Sequence, residues 1–325
     1  MEMRQLKIGV IGTGHMGRNH ARNIAEEKRF DFVGIYDANT EQAKDVATIY
    51  NVTPFETMDK LLDYVDAVVV AVPSSLHKEV ALKVAEHGVH ALVEKPLATT
   101  SEDAEAIVEV FKEKELKLVV GHIERFNPAF RELQKLINPQ DVFYVEACRY
   151  SPFNGSGRIT DTSVVEDLMI HDIDLVCALM TGKDISSIHG RGEMVRSGQT
   201  DFATCLMDFG GKAHAIVNAS RISQNKERSI TVHTIGSCIR ADLLTRSLEI
   251  YKSTNLTVDL KNTNTYKQEG VVQKVYVPIE EPLRAELVAF YEAVVCGVPI
   301  VADGEVAVRA IKICEEVSNR AKKES

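Results

Sequence analysis

The stretch KIGVIGTGHMGRNHARNIA, residues 7–25, joins a short apolar run to a segment of helical character through three glycines. Gly12, Gly14 and Gly17 have the spacing G-x-G-x-x-G. A strand before such glycines and a helix after them are the context that a phosphate-binding turn requires. The glycines permit a tight turn and close backbone approach, and the helix N-terminus favours an anion. The stretch therefore predicts a doubly wound sheet with a dinucleotide site at its first turn.

An acid follows at the distance that this interpretation needs. The next predicted strand ends in GIYDANT, and Asp37 lies twenty residues after Gly17. A carboxylate there accepts a hydrogen bond from a ribose 2′-hydroxyl and repels a 2′-phosphate, which favours NAD over NADP. The alternative is a glycine-rich turn that binds no nucleotide, but strand, glycines, helix and acid are all in register. The expected NAD-binding residues here are Gly12, Thr13, Gly14, His15, Met16, Gly17 and Asp37.

The pattern of apolar residues divides the chain into two halves. Up to about residue 125, aliphatic runs such as AVVVAVP and HALVEKP alternate with helical segments, which predicts a parallel sheet. After residue 140, strands follow one another with short turns, as in DFGGKAH at 208–214. This predicts a large, mostly antiparallel open sheet with flanking helices. The predicted fold is α/β followed by α+β, with an NAD-binding Rossmann domain at 1–124 and a substrate-binding and oligomerisation domain at 125–325.

Three local signals mark helix ends. Gly88 follows the helical segment LHKEVALKVAEHG as a C-terminal glycine would. Thr100 and Asp103 have the spacing of a capping box. Asn127 and Pro128 suit the N-cap and the first position of a helix.

Composition limits the classes of function. With 45% hydrophobic and 26% charged residues, the 325-residue chain resembles an ordinary globular protein. A net charge of −9 argues against nucleic-acid binding, which needs a basic surface. No apolar run approaches the roughly 18 residues of a membrane span, and the start does not resemble a signal peptide. The six cysteines form no CxxC pair. We therefore expect a cytoplasmic protein with no metal, nucleic-acid or membrane partner.

Two short motifs carry candidate catalytic residues. In VEDLMIHDID, residues 165–174, helical spacing predicts that Asp167, His171 and Asp174 share one face. A carboxylate one turn before a histidine can accept its ring N–H and raise its basicity, although a solvated helix face is the alternative. In VEKPLA, Lys95 stands where a predicted strand ends, the edge at which such sheets bind ligands. The alternative there is a surface lysine in a turn. The opposite face of the helix is expected to be apolar, with Met169, Ile173 and Val176.

Together these motifs resemble the family that contains glucose–fructose oxidoreductase and inositol 2-dehydrogenase. The resemblance runs nearly the whole length of the chain. It implies a Rossmann domain followed by an open-sheet domain that carries the substrate and often builds oligomers, so a homo-oligomer, dimer or tetramer, is expected through the C-terminal sheet. Besides the glycine turn, it covers AVPSSLHKE at 71–79, EKP at 94–96, GHIERFNP at 121–128, the Asp167-x-x-x-His171 pair and EPLRAEL at 281–287.

The resemblance also implies roles for individual residues. Lys95 and His171 correspond to the residues that flank the reacting carbinol, and Asp167 corresponds to the residue that orients the histidine. Many relatives have a run of glycines before the aspartate that corresponds to Asp167, where this chain has DTSVVED. The wall of the substrate site is therefore expected to differ from theirs. The cofactor-binding residues that the resemblance adds are Pro73, Ser74, His77, Glu94, Lys95 and Arg125.

The segments VVEDLMIHDIDL, VGHIERFNPAF and ASRISQNKERSITV are similar to a branch that includes UDP-N-acetylglucosamine 3-dehydrogenases. Arg149 and Arg158 bracket the loop CRYSPFNGSGRITD, residues 148–161. Two guanidiniums on one loop could hold a diphosphate bidentately, although ordinary surface arginines are the alternative. The expected substrate-binding residues are Lys95, Arg149, Arg158, Asp167 and His171.

The expected reaction is hydride transfer from a sugar ring carbinol to NAD. His171 would accept the hydroxyl proton as general base, and Lys95 would stabilise the developing alkoxide. One alternative is a dehydrogenase of inositol or another free sugar. Another is a ligand sensor that binds NAD without turnover, against which the joint presence of Lys95, Asp167 and His171 argues, because a sensor needs no base.

Overall fold

The computed structural model describes residues 4–153, 162–253, 257–258, 266–267 and 270–323. Contacts divide the chain into two compact units, Met1–Phe126 with Glu280–Lys312 and Asn127–Ile279 with Ile313–Ser325. In the described part of the chain, none of the helices combines the length with the apolar character that crossing a membrane requires.

The described strands and helices follow the order that the sequence pattern predicts. The strands are β1 Leu6–Ile11, β2 Phe30–Tyr36, β3 Thr53–Pro54, β4 Ala67–Val70, β5 His90–Glu94, β6 Leu118–Gly121, β7 Val142–Pro152, β8 Ser187–Glu193, β9 Phe202–Asp208, β10 His214–Ser223, β11 Glu227–Thr234, β12 Ser237–Asp242, β13 Ser247–Ser253, β14 Thr257–Val258, β15 Tyr266–Lys267 and β16 Gly270–Val275. The α-helices are α1 His15–Glu26, α2 Thr40–Tyr50, α3 Met58–Leu62, α4 His77–Glu86, α5 Ser101–Glu113, α6 Pro128–Leu136, α7 Ile170–Leu179, α8 Pro282–Val295 and α9 Gly304–Lys323.

The sheet of the first unit is entirely parallel, in the order β3-β2-β1-β4-β5-β6. Its central strands are aliphatic on both faces because helices cover both, and β4 has no exposed residue. The predicted helix ends are confirmed. Gly88 has φ +73°, the Thr100 hydroxyl accepts from the Asp103 amide at 3.1 Å, and the Asn127 side chain accepts from the Ala129 amide at 3.1 Å.

The second unit has a sheet in the order β16-β13-β12-β11-β7-β10-β9-β8. It is antiparallel except where β7 and β10 pair in parallel. The predicted hairpin at DFGGKAH joins β9 to β10, and Gly210 and Gly211 have φ of +75° and +61°, the conformation that glycine adopts without strain. The predicted fold class, α/β followed by α+β, is confirmed.

The compact units differ from the predicted division at 1–124 and 125–325 in one respect. Residues Glu280–Lys312 pack with the first unit, although they lie near the end of the chain. The physical reason is that α8 buries Leu287, Phe290 and Tyr291 in the same apolar cluster as β1 and β2. The Tyr291 ring meets the Phe30 ring edge-on at 6.0 Å, and its hydroxyl donates to the Arg4 carbonyl at 2.7 Å.

Candidate active site

The glycine turn between β1 and α1 is packed at two of its glycines and open at the third. Gly12 has φ +90°, and a Cβ there would lie 2.7 Å from the Ala71 carbonyl oxygen. A Cβ on Gly17 would lie 1.9 Å from the Gly12 carbonyl oxygen, whereas one on Gly14 would meet nothing within 4 Å. Gly14 is the N-cap of α1, and no side chain caps it. An open face beside uncapped helix amides fits the pyrophosphate of a dinucleotide.

Asp37, at the end of β2, is held against this turn. Its Oδ2 accepts from the Thr13 amide at 2.6 Å and the Thr13 hydroxyl at 2.8 Å. Its Oδ1 accepts from the Asn39 amide at 2.8 Å. A carboxylate has about four acceptor positions, so Asp37 keeps capacity for a ribose hydroxyl. The side chain of Thr13 is instead used within the protein, because its hydroxyl also accepts from Gln42 at 3.1 Å.

Pro73 and Ser74 follow β4, which lies beside β1 at the point where the strand order reverses. Nearby, the His77 ring is 1% exposed, with Nδ1 2.7 Å from the Pro96 carbonyl oxygen and Nε2 3.0 Å from that of Val72. Burial lowers the pKa of His77, which favours a neutral ring with one N–H. The ring therefore lies between the segment after β4 and the turn that follows Lys95, and in its neutral form it donates to one of these two carbonyls.

The end of β5 carries the predicted Glu94 and Lys95. Glu94 is buried, and its Oε1 lies 2.7 Å from Nε2 of His20 on α1. Its Oε2 accepts from the Lys95 amide at 3.3 Å, and the Lys95–Pro96 peptide is cis. Arg125, also buried, donates from Nη1 to the Val301 carbonyl at 2.7 Å. His20 has no role in the sequence prediction, and no local pattern could reveal a contact between residues 74 positions apart.

The predicted catalytic helix starts with a π-helical turn, Val165–Met169, which continues directly into α7. A π-helical turn contains more residues than an α-helical turn. The rule that residues four positions apart share a face therefore does not apply across it. Asp167 and His171 are half-buried, but Asp174 is buried, unlike the two residues with which it was expected to share a face. The expected apolar positions are confirmed, because Met169, Ile173 and Val176 are fully buried.

The prediction that Arg149 binds a substrate diphosphate is wrong for this structure. Arg149 is 1% exposed and forms a bidentate pair with Asp172, from Nε to Oδ2 at 2.8 Å and from Nη2 to Oδ1 at 2.9 Å. Arg149 faces inward from β7 because inward positions alternate along a strand, and its partner Asp172 is buried as well. Arg158 lies outside the described residues.

A parallel sheet in this order, with a glycine turn at its switch point and an acid after β2, defines a dinucleotide-binding protein of the Rossmann class. A family described as "Oxidoreductase family, NAD-binding Rossmann fold" (GFO/IDH/MocA) matches residues 6–122, and its C-terminal domain matches residues 142–237. The chain belongs to this oxidoreductase family, which confirms the resemblance noted in the sequence.

Known proteins match over nearly the whole chain. UDP-N-acetylglucosamine 3-dehydrogenase from Acidithiobacillus ferrooxidans is 32% identical over 317 residues, which cover 97% of each chain. Its solved structure gives a TM-score of 0.89 at 31% identity and covers 99% of each chain. The scyllo-inositol 2-dehydrogenase (NAD(+)) of Bacillus subtilis is 26% identical over 79% of this chain and 80% of its own. GenD2 from gentamicin A biosynthesis, solved in complex with NAD, shares the fold at 20% identity with a TM-score of 0.82.

Proposed function

We propose that the protein oxidises the 3-hydroxyl of UDP-N-acetylglucosamine, or of a related nucleotide sugar, with NAD as the oxidant. The observation that carries this proposal is the similarity to a UDP-N-acetylglucosamine 3-dehydrogenase, which extends over 97% of both chains. Arg149 does not contribute to it, since Asp172 already engages that guanidinium. A dehydrogenase of inositol or another free polyol is the second candidate, favoured by the similarity to scyllo-inositol 2-dehydrogenase.

The residues that would hold NAD are those of the glycine turn and Asp37. The open face at Gly14 and the uncapped amides of α1 suit the pyrophosphate, and Asp37 suits the ribose hydroxyls. When bound there, NAD would supply the acceptor for the hydride of the substrate's carbinol carbon. A 2′-phosphate would meet the Asp37 carboxylate, so NADP is expected to bind more weakly. The Asp37→Asn variant should narrow the difference between the two cofactors in equilibrium binding.

His171, oriented by Asp167, is proposed to accept the proton of the substrate hydroxyl. Such a base typically contributes about 10²–10⁴-fold to the rate. Lys95, at the end of β5, is proposed to stabilise the alkoxide with its positive charge. His77 and Glu94 are proposed to act by holding the segments around Lys95, since their polar atoms bond to protein groups.

The substrate assignment is tested by NADH formation with UDP-N-acetylglucosamine, free N-acetylglucosamine and myo-inositol as separate substrates. The proposal expects turnover with the nucleotide sugar and little with the other two. Turnover of myo-inositol alone would replace the substrate with a free polyol. If NAD binds but none of several sugars reduces it, the result would favour a ligand sensor that binds NAD without turnover.

The base is tested by replacing His171 with Ala. The hydride-transfer rate in a single turnover should fall by about 10²–10⁴-fold, while NAD binding is retained. His189→Ala is the matched control, because that histidine is exposed on β8 in the same unit. A rate within about twofold of the wild type in the His171 variant would remove the histidine from this role.

A homo-oligomer formed through the outer face of the second sheet is also part of the proposal. One face of β7, β9 and β10 buries Val145, Cys205 and Val217, whereas Leu206 on the other face is 36% exposed. Tyr144 on that outer face lies across from His214 and His233, with ring centroids 4.9 Å and 5.3 Å away. Light scattering coupled to size exclusion should give at least twice the mass of one chain.

A cytoplasmic location completes the proposal. All six cysteines are free, which suits a reducing compartment.

A further inference from the structure

Helix α8 carries a carboxyl group in an apolar setting. Glu286 is 0% exposed, between the buried Ala285 and Leu287. Neither of its carboxyl oxygens has a hydrogen-bond partner among the described residues. An ionised carboxylate is strongly disfavoured in such a place unless a cation or several donors compensate it.

A neighbouring carboxylate makes ionisation harder still. Burial raises the pKa of Glu286 well above its ordinary value, and the negative charge of Glu94 raises it further. Glu94 is itself fixed, since its Oε1 lies 2.7 Å from the His20 ring. A Cβ on Gly121 would lie only 3.0 Å from its Oε2, so the Glu94 carboxylate packs closely against the Gly121 backbone.

The cations on the neighbouring elements have other partners. Arg22 on α1 pairs with Glu281, Arg284 on α8 pairs with Glu27, and the Arg125 guanidinium donates to the Val301 carbonyl. The titratable and charged groups on α8 and on the elements packed with it are His15, Arg18, His20, Arg22 and Glu26 on α1, Glu27 at its C-terminus, Lys7 on β1, Asp31 and Tyr36 on β2, His90 and Glu94 on β5, His122, Glu124 and Arg125 at and before the turn Ile123–Phe126, and Arg284, Tyr291 and Glu292 on α8, with Glu281 at its N-terminus.

We propose that Glu286 is a positioning residue that stays protonated at neutral pH, so that Glu94 alone carries the negative charge of this pair. A neutral Glu286 lets Glu94 keep its contact with His20 at the end of the strand from which Lys95 follows. Ionisation of Glu286 would add a second negative charge near Glu94 in a low dielectric, and the repulsion would weaken the contact of Glu94 with His20. The consequence for Lys95 rests on the proposed function, but the protonation of Glu286 does not.

Stability against pH tests the protonation directly on cofactor-free protein. A group whose pKa is raised by folding keeps its proton in the folded state, while the unfolded chain releases it above about 4.5. Wild-type stability therefore falls relative to the isosteric, uncharged Glu286→Gln variant as pH rises from 5 to 8. We expect the difference in melting temperature between the two proteins to grow in favour of the variant. A difference that is independent of pH would overturn the proposal.

Glu292→Gln is the matched control for the stability measurement, because it removes a half-exposed carboxylate from the same helix.

Infrared spectroscopy supplies a measurement that needs only the wild type to fold. A protonated carboxylic acid in an apolar site gives a carbonyl band above the amide bands that shifts in D₂O. At pH 7 the wild type should show this band, and Glu286→Gln should lack it. Absence of the band in the wild type would mean that Glu286 is ionised, which contradicts the proposal.

The positioning role is tested by the ratio of hydride-transfer rates, Glu286→Gln to wild type, across pH. Titrations of other groups are shared by the two proteins and cancel in the ratio. We expect a ratio within about twofold of one at pH 7, rising at alkaline pH as Glu286 ionises in the wild type only. A ratio that stays constant to the alkaline limit of stability, with the infrared band present, would contradict the positioning role. Because the stability and infrared measurements use no sugar or cofactor, failure of the proposed reaction is distinguishable from failure of this inference.

Discussion

Asp172 in the second unit and Glu286 in the first are equally buried, at 0% exposure, but are stabilised in opposite ways. Asp172 forms a bidentate ion pair with the guanidinium of Arg149, whose side chain is 1% exposed. Among the described residues, none donates a hydrogen bond to Glu286, and its pKa is raised by burial and by the negative charge of Glu94. Burial of an acid is therefore compensated in one unit by pairing and in the other by a retained proton.

Asp201, in the second unit, shows a third way in which a buried acid is stabilised. Its side chain is 0% exposed, and its Oδ2 accepts from the amides of Val195, Arg196 and Ser197 at 2.8, 2.6 and 2.9 Å. Burial would raise the pKa of Asp201, but these amides and the Ser197 hydroxyl lower it to about 2. Donors from the backbone thus keep a carboxylate ionised where Nε of Arg221 lies 4.0 Å from its Oδ1.

The largest effect is expected from breaking the paired case. Arg149→Met leaves the Asp172 carboxylate buried without its cation, which should lower the free energy of unfolding by about 3–5 kcal/mol. Urea unfolding followed by circular dichroism measures this loss. The double variant Arg149→Met with Asp172→Leu removes both charges and should recover much of it. If the single variant were as stable as the wild type, the pair would not be what compensates Asp172.

A smaller loss is expected at Asp201. Asp201→Asn removes the charge that the three amides stabilise, and should cost about 1.5–3 kcal/mol at pH 7. Because folding lowers the pKa from 3.8 to about 2, this stability is present above pH 4 and is lost as pH falls toward 2. The variant and the wild type should therefore converge in acid. A gap in stability that persists unchanged down to pH 2 would exclude the lowered pKa as its source.

The smallest effect, with the opposite sign, is expected at Glu286. Glu286→Gln keeps an uncharged group at this buried position, so at pH 7 it should leave the stability unchanged or raise it. Asp172→Asn is the contrasting change, because the same carboxylate-to-amide substitution leaves the Arg149 guanidinium facing a neutral side chain instead of a carboxylate. Thermal unfolding of the two variants under one set of conditions compares them. Equal destabilisation by both variants would contradict the conclusion that Asp172 is stabilised by an ion pair and Glu286 by a retained proton.

Features that depend on neighbouring residues could be predicted from the sequence. The glycine turn follows from the backbone freedom of Gly12 and the close approach at Gly17, and the cap at Thr100 follows from a hydroxyl three residues before its donor. The parallel sheet followed from the runs of aliphatic residues, and the hairpin at Gly210 from a glycine pair. The same local patterns predicted that the glycine turn and Asp37 form one cofactor-binding site.

Features that depend on tertiary burial could not be predicted. Whether Arg149 faces a ligand or Asp172 depends on which side of β7 is covered, and the composition of the loop does not decide it. The π-helical turn at Val165–Met169 changes which side chains share a face, and α8 joins the first unit only through packing of its apolar side chains. The catalytic roles of Lys95, Asp167 and His171 stay predictions.

The most direct test of the proposed reaction is a single-turnover burst of NADH with UDP-N-acetylglucosamine deuterated at ring carbon 3. Deuteration at ring carbon 4 is the control, measured with the same NAD-loaded enzyme. We predict a slower burst for the 3-deuterated sugar and an unchanged burst for the 4-deuterated one, because only the C3 hydride is transferred. A burst slowed only by deuterium at carbon 4, or no burst with this sugar while myo-inositol gives one, would contradict the account.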